Sequence, residues 1–133
     1  GGTNCAPVSL TWGNENRTVA FRKPLAKDGA LRVENRVPGA DANPNLAMAK
    51  TLAGILHGNN HKLDPGKAYD QAVNGRDVNL PLSLPAALGT TIGNEALMKI
   101  LGRNFIELYC KHRESETIAF EQFISEREYN WYL

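Results

Sequence analysis

An α+β fold, with short strands followed by a helical C-terminal half, is predicted by three observations. Residues 6–37 hold three short runs rich in β-branched and aromatic residues, parted by turn formers. Asn43-Pro44 then supplies a helix-start signal. From Pro85 onward, apolar residues recur at intervals of three and four. Strands first and helices after is the order of an α+β domain, not of alternating βα units.

The strand runs are Ala6 to Trp12, Thr18 to Arg22 and Leu31 to Val37. Gly13-Asn14-Glu15-Asn16 and the stretch from Pro24 to Gly29 separate them. Connections this short leave no room for helical crossovers, so an antiparallel meander is expected. Pro38-Gly39 ends the third strand. Asn43 should cap the next helix, with Pro44 at its first position, where a missing N–H costs nothing. Between Leu46 and Leu56 only Lys50 and Thr51 are polar, which predicts burial on most sides. Gly58-Asn59-Asn60 is the expected stop.

Residues 62–84 carry turn signals at Pro65-Gly66, Asn74-Gly75 and Pro81, and read as a long surface excursion. In the helical half, taken as a whole over 44–133, Leu97, Leu101, Phe105 and Leu108 share one spacing. Ile106, Tyr109 and Arg113 share another, as do Thr117, Phe120 and Ile124. Trp12, Tyr109, Phe120 and Phe123 are the expected aromatic core. Three short strands and one apolar helix leave a sheet face and a helix face without cover. The pattern is that of a piece of a larger domain.

Composition excludes several classes of function. The 133 residues are 42% hydrophobic and 22% charged, which is ordinary globular usage. Fifteen basic residues against 14 acidic ones give a formal charge of +1, so no electrostatic drive toward nucleic acid or an anionic membrane follows. No apolar run approaches the ~20 residues of a membrane span, and no leader pattern opens the chain. Cys5 and Cys110 do not make a disulfide framework, so a reducing cytoplasmic setting is expected.

The residues with chemistry lie on the second and third strands. Strand side chains alternate, so Arg32, Glu34 and Arg36 share a face at spacings of about 6.7 Å. Glu34 could ligate a divalent metal while the flanking arginines clamp phosphate or carboxylate oxygens. The competing reading is a solvated strand face of alternating charge. Arg17 and Arg22 bring two more cations, but their odd spacing places them on opposite faces unless the strand bulges or bends. Together these residues fit a polyanion with a metal. Elsewhere, His57 and His61 have i, i+4 spacing but lack a third ligand. His112 reads as a surface residue and Cys5 as a plain thiol without a partner base.

These residues stand in a longer pattern. Asn16-Arg17-Thr18 with Arg22, Arg32-x-Glu34-x-Arg36 and the run from Pro38 to Ala47 form its first part. Asn60-x-Lys62-Leu63, Pro65-Gly66-x-Ala68, Leu101-Gly102-x-x-Phe105-Ile106-x-x-Tyr109 and Glu126 to Tyr129 continue it. In order, over essentially the whole chain, this resembles the C-terminal part of the glutamine synthetase catalytic domain. Trp12-Gly13 and the Pro-Gly-Ala-Asp-Ala-Asn-Pro run resemble the γ-glutamylpolyamine (γ-glutamylputrescine) branch most.

The resemblance implies an ATP-dependent glutamate–amine ligase acting through γ-glutamyl phosphate. Arg17 would serve ATP phosphate and the transferred phosphoryl group, and Arg22 and Arg32 the nucleotide phosphates. Arg36 would bind substrate glutamate, and Glu34 would ligate Mg2+ (or Mn2+). Cys5 stands where ammonia-using relatives carry an acid, which favours a larger amine over ammonium, and Asn45 replaces a usual aromatic. The resemblance covers only about the last third of such an enzyme. An N-terminal β-grasp domain and the remaining metal ligands would lie elsewhere, in an enzyme that assembles as a homo-oligomeric ring. The 133-residue chain alone is expected to be inactive, to bind neither cofactor tightly, and to self-associate as a dimer. An ammonia-using glutamine synthetase, and a non-catalytic domain binding nucleotide or a partner, are the alternatives.

Overall fold

The computed structural model describes residues 7–27, 29–75 and 77–132. Strands β1 (Trp12–Asn14), β2 (Phe21–Lys23) and β3 (Glu34–Asn35) form one sheet in that order. Helix α1 (Pro44–His61) follows, then α2 (Leu84–Ile92), α3 (Glu95–Leu101), α4 (Arg103–Glu121) and α5 (Glu126–Tyr132). The chain divides into two compact units, one closing at Leu80 and the other opening at Pro81. The fold is α+β in the predicted order.

The sheet departs from the expected meander in one pairing. β2 and β3 are antiparallel, with Arg22 opposite Glu34, but β1 and β2 run parallel, with Trp12 opposite Phe21. The helical-crossover argument assumed strands of ordinary length. Three residues span only about 10 Å, and residues 15–20 are long enough to return over that distance without a helix. Val19 and Ala20 are buried in this return. The strands are also shorter and later than their sequence runs. Ahead of β1, the Thr11 carbonyl still accepts from Phe21 N–H at 3.1 Å, while the Val8 carbonyl accepts from Asp77 N–H at 2.9 Å.

Among the described residues from 62 to 83 there is neither helix nor strand, but the stretch is no free excursion. Its backbone is laced to β1 and the crossover. Tyr69 N–H donates to the Trp12 carbonyl at 2.8 Å, and Trp12 Nε1–H to the Gly66 carbonyl at 3.0 Å. Asn16 is buried, and its Nδ2 donates to the carbonyls of Tyr69 (2.8 Å) and Gln71 (2.7 Å). Its Oδ1 accepts from Thr18 N–H (2.9 Å) and Thr18 Oγ1–H (2.7 Å), while Val73 N–H donates to Thr18 Oγ1 at 2.8 Å. Gly13 is glycine for a steric reason. A Cβ there would sit 2.1 Å from the Tyr69 carbonyl oxygen.

Helix α1 starts as the sequence predicts. Asn43 Oδ1 accepts from Asn45 N–H (3.0 Å) and Leu46 N–H (3.3 Å), with Pro44 at the first position. It ends later than expected. Gly58 costs about 1 kcal/mol against alanine without breaking a helix, so α1 continues to His61, and Lys62 closes it at φ 50°. His57 and His61 therefore share one helix, with ring centroids 4.2 Å apart. The expected burial on most sides is not observed. Ala53 is the one buried residue of α1, and Met48, Leu52, Ile55 and Leu56 are exposed. Thr51 ties the helix to β3, its Oγ1 accepting from Asn35 Nδ2 at 2.9 Å.

In the second unit the core is Met98, Ile106 and Cys110, ringed by Leu88, Leu97, Leu101 and Tyr109. Phe120 and Phe123, expected in the core, are exposed, as are Phe105 and Leu108. Phe105 and Leu108 flank Ile106, Tyr109 and Cys110 on α4 without joining that core, and Phe123 lies beyond the end of the helix. His112 is exposed, as predicted. No helix among the described residues is long and apolar enough to cross a membrane. α5 opens with a reciprocal cap: Ser125 N–H donates to Glu128 Oε2 at 2.8 Å, and Glu128 N–H to Ser125 Oγ at 3.3 Å.

Asn16→Ala strips partners from three backbone groups at once and should destabilise the first unit by ~2 kcal/mol or more. Gly13→Ala should detach the same strap. Both would appear as lost hydrogen-exchange protection at Tyr69. The Ser125 N–H holds the Glu128 carboxyl below its ordinary 4.5. Its contribution to α5 is therefore complete above that value and is lost as pH falls through the depressed one. Amide exchange along α5 should show that acid limb, and Glu128→Gln should abolish it.

Candidate functional site

The charged residues of the two adjoining strands meet on one side of the sheet. The register that sets Arg22 opposite Glu34 brings Arg22 Nη1 to 2.9 Å from Glu34 Oε2. Arg32, two residues before Glu34, reaches its other oxygen, Nε to Oε1 at 3.4 Å. Arg22 also donates from Nη2 to Glu15 Oε2 at 2.7 Å. One guanidinium thus bridges two carboxylates. The Arg22 side chain is 13% exposed, and its Nε is buried without a hydrogen-bond partner.

Arg36 continues the cluster toward the crossover. Its backbone N–H donates to the Ala20 carbonyl at 2.9 Å, and its Nε to the Arg17 carbonyl at 3.1 Å. Arg17 is exposed and lies in the crossover, not at the start of β2 as the sequence pattern predicted. The odd spacing of Arg17 and Arg22 therefore does not fall within one strand, and Arg17 meets Arg36 through its backbone carbonyl. All five residues singled out from the sequence therefore lie in one region, linked through Arg22–Glu34–Arg32 and Arg36–Arg17.

Glu15 was missed. It sits within the turn signal Gly13-Asn14-Glu15-Asn16, where polar residues read as breakers. Its backbone is left-handed, at φ 50°, and its Oε1 accepts from Leu25 N–H. An acid between a glycine turn and a basic strand was the available clue, but the clue did not specify a partner.

The electrostatics follow the geometry. The hydrogen bond from Arg22 is the largest influence holding the Glu34 carboxyl below the ordinary carboxylate range, with Arg32 adding to it. Glu15 is lowered first by the Leu25 N–H and then by Arg22. Arg22 is raised by Glu34 and Glu15 in turn. Four guanidiniums against two carboxylates leave a positive surplus suited to a polyanion.

Residues 2–132 match the family described as glutamine synthetase, catalytic domain. The chain belongs to the glutamine synthetase family. It is 40% identical to the γ-glutamylputrescine synthetase of Escherichia coli over 132 residues, covering 96% of this chain and 27% of that protein. Identity to the glutamate–isopropylamine ligase of a Pseudomonas species is 34%, over 99% of this chain and 30% of that one. The glutamine synthetase of Methanocaldococcus jannaschii is 31% identical over 96% of this chain and 30% of its own length. The chain thus spans less than a third of these relatives.

A divalent cation is implied by the family, but the described residues do not make a site for one. No group of three or more His, Cys, Asp or Glu side chains gathers among them. Glu34 is one carboxylate whose two oxygens already accept from guanidiniums. Such a cation needs six or more oxygen ligands, so no step is routed through a metal here. The histidine pair likewise has no third ligand among the described residues. Cys5 lies outside the described residues, so its proposed contrast with an acid has no geometry. Cys110 is buried in the core of the second unit.

Replacing Arg22 by methionine should raise both carboxyl pKa values. Glu34 should move furthest, since Arg22 is its largest influence. Glu15 should move less, because the Leu25 N–H remains. Carboxyl-carbon NMR titration of the two side chains would measure the shifts, and an unmoved Glu34 would contradict the bridge.

Proposed function

We propose that residues 1–133 are the C-terminal portion of the catalytic domain of an ATP-dependent glutamate–amine ligase. The observation that carries the reading is the cluster itself. Arg22 of β2 and Glu34 of β3 are joined by an ion pair, Arg32 just before β3 pairs with the same Glu34, and Arg36 is held against the Arg17 backbone beside them, in a chain of the glutamine synthetase family.

In such a ligase the γ-carboxylate oxygen of glutamate bonds to the terminal phosphorus of ATP, and the bond to ADP breaks. The amine nitrogen then bonds to the acyl carbon, phosphate leaves, and the amine gives up a proton. Each step moves negative charge between oxygens, and positioned cations lower its cost. Arg22 and Arg32 would take nucleotide phosphates, and the exposed Arg17 would follow the phosphoryl group in transfer. Arg36, held at its backbone and at Nε, would bind the carboxylate of glutamate. Glu34 would supply one carboxylate to a Mg2+ or Mn2+ site completed by residues outside this chain. The complete enzyme would be a cytoplasmic homo-oligomeric ring.

The acceptor is read as a larger amine such as putrescine. Two relatives that match nearly the whole chain are named for putrescine and isopropylamine. The archaeal glutamine synthetase at 31% keeps ammonium as the second reading.

The test uses the complete protein carrying this chain, supplied with ATP, glutamate and either putrescine or ammonium. γ-Glutamylputrescine should form in preference to glutamine, with one ADP per product. Arg22→Ala should lower kcat/KM by about 10²-fold or more. Preference for ammonium would move the assignment to glutamine synthetase proper. Absence of ADP formation would remove the ligase reading. The 133-residue chain alone should form no ADP, since it offers too few metal ligands.

A further inference from the structure

We propose that Glu15 is a positioning residue that holds the Arg22 guanidinium in place for phosphate. The role of Arg22 toward phosphate rests on the ligase reading above. The hold exerted by Glu15 rests on geometry alone.

Glu15 fixes Arg22 at two levels. Its backbone N–H donates to the Lys23 carbonyl at 3.1 Å, closing the β1–β2 pairing one residue beyond Arg22. Its carboxylate accepts from Arg22 Nη2 at 2.7 Å through one oxygen and from Leu25 N–H through the other. The carboxylate is thereby clamped to the backbone just past β2 while it orients the guanidinium that β2 carries. A charge-assisted bond of this length is among the stronger hydrogen bonds a surface offers.

The other partner of Arg22 cannot do the same work. Glu34 is shared between Arg22 and Arg32. A phosphate that draws Arg32 away, or any ligand that engages Glu34, alters the Nη1 contact directly. Among the described residues Glu15 pairs with no second cation, so its contact is independent of those events. Arg22 Nε is buried and without a partner, so it provides no further anchor. Without Glu15, the guanidinium would depend on a carboxylate that the site itself uses.

The backbone gives a way to separate this role from a turn-forming one. Glu15 adopts φ 50°, a region that side-chain-bearing residues other than Asn and Asp seldom occupy and glycine enters freely. A residue present for the turn alone would be replaced by glycine without loss. A carboxylate present for Arg22 would not.

The experiment compares Glu15→Gln and Glu15→Gly in the complete protein, with unfolding midpoints confirming that each variant folds. Two readouts are taken: the Arg22 side-chain NMR signals with their rate of guanidinium rotation, and ATP affinity by calorimetry alongside KM and kcat. Both variants should speed guanidinium rotation and weaken ATP binding by about tenfold or more, with KM for ATP rising more than kcat falls. An unchanged Arg22 spectrum, or unchanged ATP affinity in Glu15→Gly, overturns the proposal. A wild-type protein that makes no ADP, but whose variants free Arg22 and lose ATP affinity, refutes the ligase reading and leaves the positioning role standing. A wild-type ligase whose variants change neither readout does the reverse.

Discussion

The first unit depends on the side-chain amide of Asn16. It is buried, and it joins two stretches of chain that lie more than fifty residues apart in sequence. Both amide hydrogens go to backbone carbonyls of the 69–71 segment, and the carbonyl oxygen closes the local turn through Thr18. A buried amide that satisfied only half of its bonds would cost more than an apolar residue of its size. Satisfied, it determines the path of the crossover. That path lets β1 and β2 run parallel with so few residues between them. It also delivers Arg17 beside Arg36 and turns Glu15 toward Arg22. The charged cluster sits where it does because an uncharged side chain beneath it has no unspent donors or acceptors.

Much of this was legible before any coordinates, and the failures share a cause. The order of elements, the Asn43 cap and the Arg32–Glu34 neighbourhood depend on local chemistry, and local chemistry is written in adjacent residues. The direction of β1 relative to β2 depends on where the backbone hydrogen bonds of residues 66–77 go. No periodicity encodes that, because the segment pairs through carbonyls and amides that every residue carries. Its turn signals were real. What they hid was that a chain without regular structure can still be fastened at five points.

The apolar helix failed differently. Its composition predicted burial, and the cover predicted for Leu52, Ile55 and Leu56 is missing from the described residues. Hydrophobic pattern reports the environment a segment is made for, not the environment that one stretch of chain provides. Phe120 and Phe123 on the far reach of the second unit make the same point. The relatives that the chain matches are more than three times its length.

The ion pairs of the cluster are graded, and the grading bears on how a charged ligand would enter. The Arg32–Glu34 contact is long, at 3.4 Å, and its arginine is 55% exposed. Exposed pairs of this kind contribute little to stability, so exchanging Glu34 for a phosphate oxygen costs Arg32 little. Arg22 is different, being largely covered and bonded at 2.7 and 2.9 Å. Moving it would strand a guanidinium that is already short of one partner at Nε. A charged ligand would therefore meet one adaptable cation just ahead of β3 and one fixed cation on β2. Under the proposed function, the fixed one would define where phosphate sits and the adaptable one would close on it. Catalysis of phosphoryl transfer asks for charges that do not reorganise as the reaction proceeds. In this cluster the residue that meets that demand is Arg22, kept by a carboxylate that no other cation shares.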